Sequence, residues 1–325
     1  MAIWKRDSQD VEVRCRAVQE AILSSTSSKV LSDEPMSRHT TIGIGGKAAL
    51  FVEPANLDDL KRIIEIAKAN GIQVFILGAG SNVLFRDGGF NGVVVSLTNF
   101  ASFSKTGVED GKVYIKAGAG VRLNTLLGWA KDEGLSGFEA LAGIPGTVGG
   151  ALAMNAGTHD GCISDHLVKV SALDFSGKFY EWERNKIEFG YRSAKYPKPA
   201  VIVEAEFELL PGDKKEIEQK MEKLIARRKE RHPLEYPSLG SIFINPSRTK
   251  GGDRISAAIL IEECGLKGVR IGGARISPKH ANWIVNERNA SSKDVERLIS
   301  LVKDKVRERC GVLLNTEIII VGDEV

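Results

Sequence analysis

The sequence predicts an α+β fold, on three observations. Segments with helical apolar spacing alternate with short β-type runs along the whole chain. Glycine-rich loops border several of those runs. The texture then changes at Pro211-Gly212, where a strand-rich part gives way to a part opened by a charged helix.

In order along the chain, residues 10–23 can form a short amphipathic helix, followed by the polar stretch Ser24–Ser28. The glycine-rich turn 39–46 leads into a strand over 49–52. A helix is expected over 57–70, with Leu60, Ile63, Ile64 and Ala67 on one face, Asn56 as N-cap and Gly71 as its stop. Strands follow at 73–77, 93–97 and 112–117, then a helix over 121–133 closed by Gly134. Residues 167–175 and 178–182 read as a hairpin around Ser176-Gly177, and 200–210 as a long strand. Beyond Pro211-Gly212 a charged helix covers 214–231 and stops at Pro233. Strands at 241–245, 270–276, 283–285 and 312–321 are interleaved with helices at 255–264 and 293–310. Ser291 with Asp294 gives the last helix a capping-box start.

Composition narrows the function. The chain has 325 residues, enough for two or three domains with cores of their own. A net charge of +3 with interleaved signs argues against nucleic acid as the main partner. No apolar run is long enough to span a bilayer. Residues 1–23 carry Asp7, Asp10, Glu12 and Glu20 and no apolar secretion core. The four cysteines, Cys15, Cys162, Cys264 and Cys310, are scattered without metal-ligand spacing or a disulfide framework, so a reducing cytoplasm is expected.

The stretch Gly143–Gly157 holds five glycines and a proline in fifteen residues, with no charge. Backbone without Cβ can approach a ligand closely and aim N–H groups at it. A cradle for a large, flat or phosphorylated ligand and a tight turn packed on a sheet are both compatible with this composition. Two common phosphate motifs fail. No Gly-x-x-x-x-Gly-Lys-Ser/Thr occurs. Gly78-Ala-Gly80 starts like a dinucleotide fingerprint, but Val83 stands at the third glycine position and a turn replaces the helix; Gly118-Ala-Gly120 fails likewise at Leu123. Three glycine loops remain, 43–46, 78–82 and 143–157. Their successive N–H groups suit an anion nest, with Ser81 and Asn82 as neutral donors.

The motifs Thr41-x-Gly-Ile-Gly-Gly46, Leu77-Gly-Ala-Gly-Ser-Asn-Val-Leu84 and Gly143-Ile-Pro-Gly-x-Val-Gly-Gly-Ala151 resemble those of the UDP-N-acetylenolpyruvoylglucosamine reductase family. Tyr191-Arg-Ser193, Gly240-Ser-Ile-Phe-x-Asn-Pro246, Gly265-Leu-Lys-Gly268, Ser277-x-Lys-His-Ala-Asn282 and Glu317-Ile318 continue the resemblance in collinear order, from about residue 36 to the end. The chain departs from the pattern at Leu239 and Thr316, lacks the extra substrate-domain insertion of the longer form, and matches nothing over 1–35.

The resemblance implies a two-subdomain FAD-binding PCMH-type fold followed by a smaller α+β substrate-binding domain. The corresponding divisions are 1–98, 99–212 and 213–325. It assigns Gly45, Gly78, Gly80, Ser81, Asn82, Gly143, Gly146, Gly149, Gly150, Asn155 and Ala156 to noncovalent FAD, since the loop 78–82 has no histidine or cysteine to tether a flavin. The implied reaction is NADPH-dependent reduction of an enolpyruvyl ether on a UDP-sugar, in the synthesis of peptidoglycan precursors. Arg192 matches the arginine that faces the substrate carboxylate, Ser241 the serine that protonates the intermediate, and Glu317 the glutamate that stabilises its charge. Burial ahead of the apolar run 318–321 would raise the pKa of Glu317.

Tyr191, Asn245, Lys279 and His280 are further substrate-binding candidates. Taken singly, each of these side chains also has an ordinary structural reading, as a surface ion pair, a turn residue or core. A monomer or weak dimer acting on a small molecule, with no nucleic-acid or membrane partner, completes the expectation. Two alternatives stay open: another FAD-dependent oxidoreductase of the same superfold, and a non-catalytic UDP-sugar-binding protein.

Overall fold

The structure, a computed structural model, describes residues 8–247 and 253–324, with side chains from residue 12 onward. Its contacts gather into two compact units: residues up to Glu34 with Ala48–Ala79 and Asn91–Ile225, and Pro35–Lys47 with Gly80–Phe90 and Ala226–Val325.

The first unit begins with helix α1 (Ser8–Ser25), followed by a sheet in the order Lys29–Pro35, Lys47–Glu53, Phe90–Ser96, Val74–Leu77. Its last pair is parallel, with Val74 opposite Val93. Helix α2 (Leu57–Ala69) buries Leu60, Ile63, Ile64 and Ala67. Asn56 Oδ1 accepts from the Asp59 N–H at 2.9 Å, and Gly71 ends the helix at φ +62°.

A second, antiparallel sheet runs in the order Phe179–Glu183, Leu167–Asp174, Ala200–Pro211, Lys112–Gly118, Phe103–Glu109. Its long strand shows the period of two that makes a sheet amphipathic. Val203, Ala205, Phe207 and Leu209 are buried. Glu204, Glu206 and Glu208 alternate with them and pair with Lys116, Lys169 and Lys112 of the flanking strands. Helices α3 (Leu123–Asp132) and α4 (Val148–Met154) complete this unit's core. The division at 98/99 falls between the two sheets, and the one at 212/213 falls between the long strand and helix α5 (Lys214–Arg231).

The second unit contains an antiparallel sheet, Ser238–Ser241, Trp283–Asn286, Ala274–Ile276, Arg270–Ile271, with helices α6 (Ala257–Glu263) and α7 (Ser292–Cys310). Its separate core includes Ile42, Leu84, Ile242, Phe243, Ile261, Leu298 and Val302. Val83–Phe85 pairs in parallel with Ile319–Val321, joining residues far apart in sequence. Helix α7 has the expected capping box, with Ser291 Oγ accepting from Asp294 N–H at 3.0 Å and Asp294 Oδ2 accepting from Ser291 N–H at 3.1 Å.

Several expectations are corrected. The middle of the glycine run 143–157 is helix α4, although no helix was expected there. Strands Lys29–Pro35 and Phe103–Glu109 are additional; none of their residues is buried, so no apolar alternation marks them. The expected strand 270–276 is two short strands around Gly272-Gly273, and that at 241–245 lies at Ser238–Ser241. Only Ile319–Val321 of the expected strand 312–321 is regular. Among the described residues, no helix is long and apolar enough to cross a membrane, and no cluster of His, Cys, Asp and Glu could hold a metal ion.

Candidate active site

In the first unit, a cavity of about 140 Å³ opens where three chain segments meet. Gly78 follows the strand Val74–Leu77, Ala119-Gly120 follows Lys112–Gly118, and Thr147–Gly150 begins α4. A Cβ on Gly78 would stand 2.9 Å from Thr147 Oγ1, and one on Gly149 would stand 2.8 Å from Ala119 Cβ. The segments pack this closely because those positions have no side chain. Gly149 N–H donates to Ala119 O at 2.9 Å, and Val148 N–H donates to Val121 O at 2.9 Å. Thr147 Oγ1 accepts from Gly150 N–H at 3.3 Å and caps α4.

Arg122 is the one ionisable side chain on the cavity lining. Its backbone bridges to Thr147. A neutral glycine wall at a helix start, with one guanidinium, suits a diphosphate carried by a large uncharged group.

Gly143 and Gly146 lie at positive φ in the turn before α4 and are not part of this lining. Asn155 ends α4 in the left-handed region, at φ +45°. Its Nδ2 donates to Gly190 O at 2.9 Å, and its Oδ1 is buried with no hydrogen-bond donor. A buried acceptor left unmet is costly unless a bound group supplies the N–H. Ala156 N–H returns to Ala151 O at 2.8 Å. Through Gly190, Asn155 ties α4 to the hairpin Glu188–Gly190/Ser193–Lys195, whose turn is Tyr191-Arg192. Arg192 is held at φ +52°, unusual for a residue with a Cβ, and its guanidinium lies 5.2 Å from the centre of the Tyr191 ring. Strained backbone of this kind is concentrated at functional sites.

The second unit gathers a different set. Gly45 packs against Phe85 and Met36, and Gly80, at φ +65°, packs against His39. Thr41 N–H donates to Gly80 O at 3.1 Å. Ser81 and Asn82 follow, half-buried. Asn82 Nδ2 donates to Glu317 O at 3.1 Å, and Ile319 N–H donates to Asn82 O at 3.0 Å. Glu317 N–H donates to Ile242 O at 2.8 Å, so the half-buried Glu317 and the segment just after the half-buried Ser241 share one hydrogen-bonded ladder.

Asn245, Lys279 and His280 have partners of their own in this unit. Asn245 Oδ1 accepts from Ala257 N–H at 2.9 Å and holds the start of α6. Lys279 Nζ donates to Lys229 O at 2.7 Å, at the end of α5. His280 packs 5.1 Å from His232 and 6.2 Å from Trp283 between ring centres, and burial pushes its pKa down.

Sequence reasoning passed over Thr147 and Arg122. Thr147 stood at an unspecified motif position, although a threonine before a short helix is an N-cap signature. Arg122 follows a glycine pair and carries no marker of its own.

Comparison with known proteins gives the family. Residues 48–182 match the family model of an FAD binding domain. The fold and this match define an FAD-binding oxidoreductase. Residues 232–321 match the model for the C-terminal domain of UDP-N-acetylenolpyruvoylglucosamine reductase. The reductase of that name from Clostridium tetani is 38% identical over 299 residues, 92% of this chain and 94% of the relative. That of Clostridium novyi is 42% identical over 290 residues, covering 89% and 91%. The crystal structure of the reductase from Thermus caldophilus superposes with a TM-score of 0.75 at 32% identity, covering 91% of this chain and 99% of the other. The chain belongs to the UDP-N-acetylenolpyruvoylglucosamine reductase family.

Proposed function

We propose that this chain reduces UDP-N-acetylglucosamine enolpyruvate to UDP-N-acetylmuramate with NADPH, as a cytoplasmic step in making peptidoglycan precursors. The observation that carries this reading is the neutral glycine cradle, in a chain that shares its family over nine-tenths of its length and also holds Arg192, Ser241 and Glu317.

Gly78, Thr147, Gly149 and Gly150 would hold FAD, with Arg122 beside its diphosphate and Asn155 Oδ1 offering an acceptor. Gly45, Gly80, Ser81, Asn82, Gly143, Gly146 and Ala156 would shape the remaining loops around it. We read 1–98 and 99–212 as the two flavin subdomains and 213–325 as the substrate domain. When bound, FAD supplies the redox chemistry, taking hydride from NADPH and delivering it to the terminal vinyl carbon of the substrate.

The chain's own residues supply position, charge and a proton. Arg192 offers a forked, permanently charged partner for the substrate carboxylate. Negative charge spreads onto that carboxylate as hydride arrives, and Glu317, if it carries a proton, donates to it. Ser241 delivers the proton to the carbon next to the carboxylate. A serine hydroxyl is a weak acid, so its geometry must be fixed and its proton replaced from a donor network. Tyr191 covers the reacting region, and Asn245, Lys279 and His280 are the secondary candidates for the sugar diphosphate. The protein is expected to work as a monomer or weak dimer.

The test is direct. The purified protein should carry a flavin released by denaturation, and should oxidise NADPH stoichiometrically with added UDP-N-acetylglucosamine enolpyruvate. Absence of substrate-dependent oxidation in a flavin-loaded preparation rejects the reading.

A further inference from the structure

The Ser241 segment is held by one side chain that the sequence motifs leave without a role. Asn282 is 4% exposed, and its amide closes on the backbone of Phe243 from both ends. Phe243 N–H donates to Asn282 Oδ1 at 2.9 Å, and Asn282 Nδ2 donates to Phe243 O at 2.8 Å. A third bond runs from Ile242 N–H to the Asn282 carbonyl, at 2.9 Å. The amide thus stands in for the peptide group of a neighbouring strand.

On its other side, the same segment is paired with the chain around Glu317. Glu317 N–H donates to Ile242 O at 2.8 Å, Ile244 N–H donates to Asn315 O at 2.9 Å, and Phe243 bridges to Thr316. Upstream, Ser241 pairs with Trp283 and Ser238 with Val285. Gly240 lies at φ +74° with open space where a Cβ would be, and the pairing with Trp283–Asn286 shifts register between Ser238 and Ser241. The residues just after Ser241 are thus the ones bonded directly to the chain around Glu317.

We propose that Asn282 is a positioning residue for proton delivery: its amide clamps residues 242–243 against the segment 315–317 and so sets the Ser241 hydroxyl. This rests on the reading of Ser241 as proton donor. Without the amide, two buried backbone groups of Phe243 lose their partners, and the segment can relax toward Gly240.

The experiment separates the two half-reactions of the holoenzyme by stopped flow in Asn282→Ala, Ser241→Ala and the double variant. Expected for Asn282→Ala is an unchanged flavin content and rate of flavin reduction by NADPH. Reoxidation of the reduced flavin by UDP-N-acetylglucosamine enolpyruvate should slow about 10-fold or more, with a larger solvent deuterium isotope effect. The double variant should be slower than Ser241→Ala by far less than that factor, because both changes strike one step. If Asn282→Ala does not fold, Asn282→Gln, which keeps the amide one methylene out of place, is read in the same way.

Three results overturn the proposal: reoxidation at the parent rate in a folded variant, equal losses in both half-reactions together with flavin content, or losses that multiply independently in the double variant. If Ser241→Ala itself reoxidises at the parent rate, the proton-donor reading fails, and the clamp proposal falls with it.

Discussion

Two adjacent glycines in α4 should respond oppositely to alanine. At Gly149 the new Cβ would lie 2.8 Å from Ala119 Cβ, 3.2 Å from its carbonyl oxygen and 3.3 Å from its Cα. Carbon atoms prefer about 3.5–4.0 Å, so the two must part by roughly 0.7 Å. Ala119 is poorly placed to yield. Its N–H donates to Val203 O at 2.9 Å, and those of Gly118 and Gly120 donate to Ser102 O and Phe100 O. The start of α4 must retreat instead, stretching the bond from Gly149 N–H to Ala119 O.

Overpacking costs about 1–3 kcal/mol and a weakened hydrogen bond about 0.5–1.5, against a helix-propensity gain of at most about 1. A net loss of about 1–3 kcal/mol in apoprotein stability is expected for Gly149→Ala. At Gly150 the nearest atom to a new Cβ is Thr147 Oγ1 at 3.4 Å, an ordinary contact, and the position lines the cavity. Gly150→Ala should therefore leave apoprotein stability unchanged or slightly raised, while weakening FAD binding about 10-fold or more, or 1.4 kcal/mol. Urea unfolding of the apoproteins and flavin-fluorescence titration measure the two quantities. A Gly149→Ala apoprotein as stable as the parent would refute the packing argument. A stable Gly150→Ala protein with parent FAD affinity would remove the cavity from the cofactor site.

Three further outcomes are expected. Arg192→Lys keeps the charge but loses the fork, so kcat/KM should fall about 10- to 100-fold with the flavin spectrum unchanged; steady-state NADPH oxidation reads it. Glu317→Gln should lower turnover far more than FAD affinity, and unchanged turnover would discard its role as charge stabiliser. His232 stacks 4.9 Å from Trp283, and burial, aided by Arg228, pushes its pKa down from 6.5 to about 4. Between those values the unfolded chain binds the extra proton, so stability is full above about pH 6.5 and falls as pH drops toward 4. A shift of this size corresponds to at most about 3 kcal/mol, reduced to about 1–2 by the solvent that reaches part of the ring. His232→Phe should flatten that part of a pH series of thermal melts.

Legibility in the sequence followed the range of the interactions concerned. Helices α2 and α7 were readable because a cap, an apolar face and a glycine stop all lie within one short window. Strand Phe103–Glu109 was not, because it lies at a sheet edge with six of its seven residues exposed and no apolar alternation. Helix α4 was hidden because glycine has low helix propensity. The helix forms because Thr147 caps it and Gly149 lets it close on Ala119.

The candidate site divides in the same way. The glycine loops could be named from composition and motif, yet their partners could not. Gly78 meets Thr147 and Asn82 meets Glu317 across sequence separations that no local pattern encodes. Asn282 shows the consequence most sharply. In the sequence it is the last letter of a motif, and only the pairing of its amide with Phe243 gives it a physical task. A residue whose function is to hold another residue's backbone leaves little trace in composition or spacing. Its effect is therefore to be sought in how two substitutions combine, rather than in the loss caused by either alone.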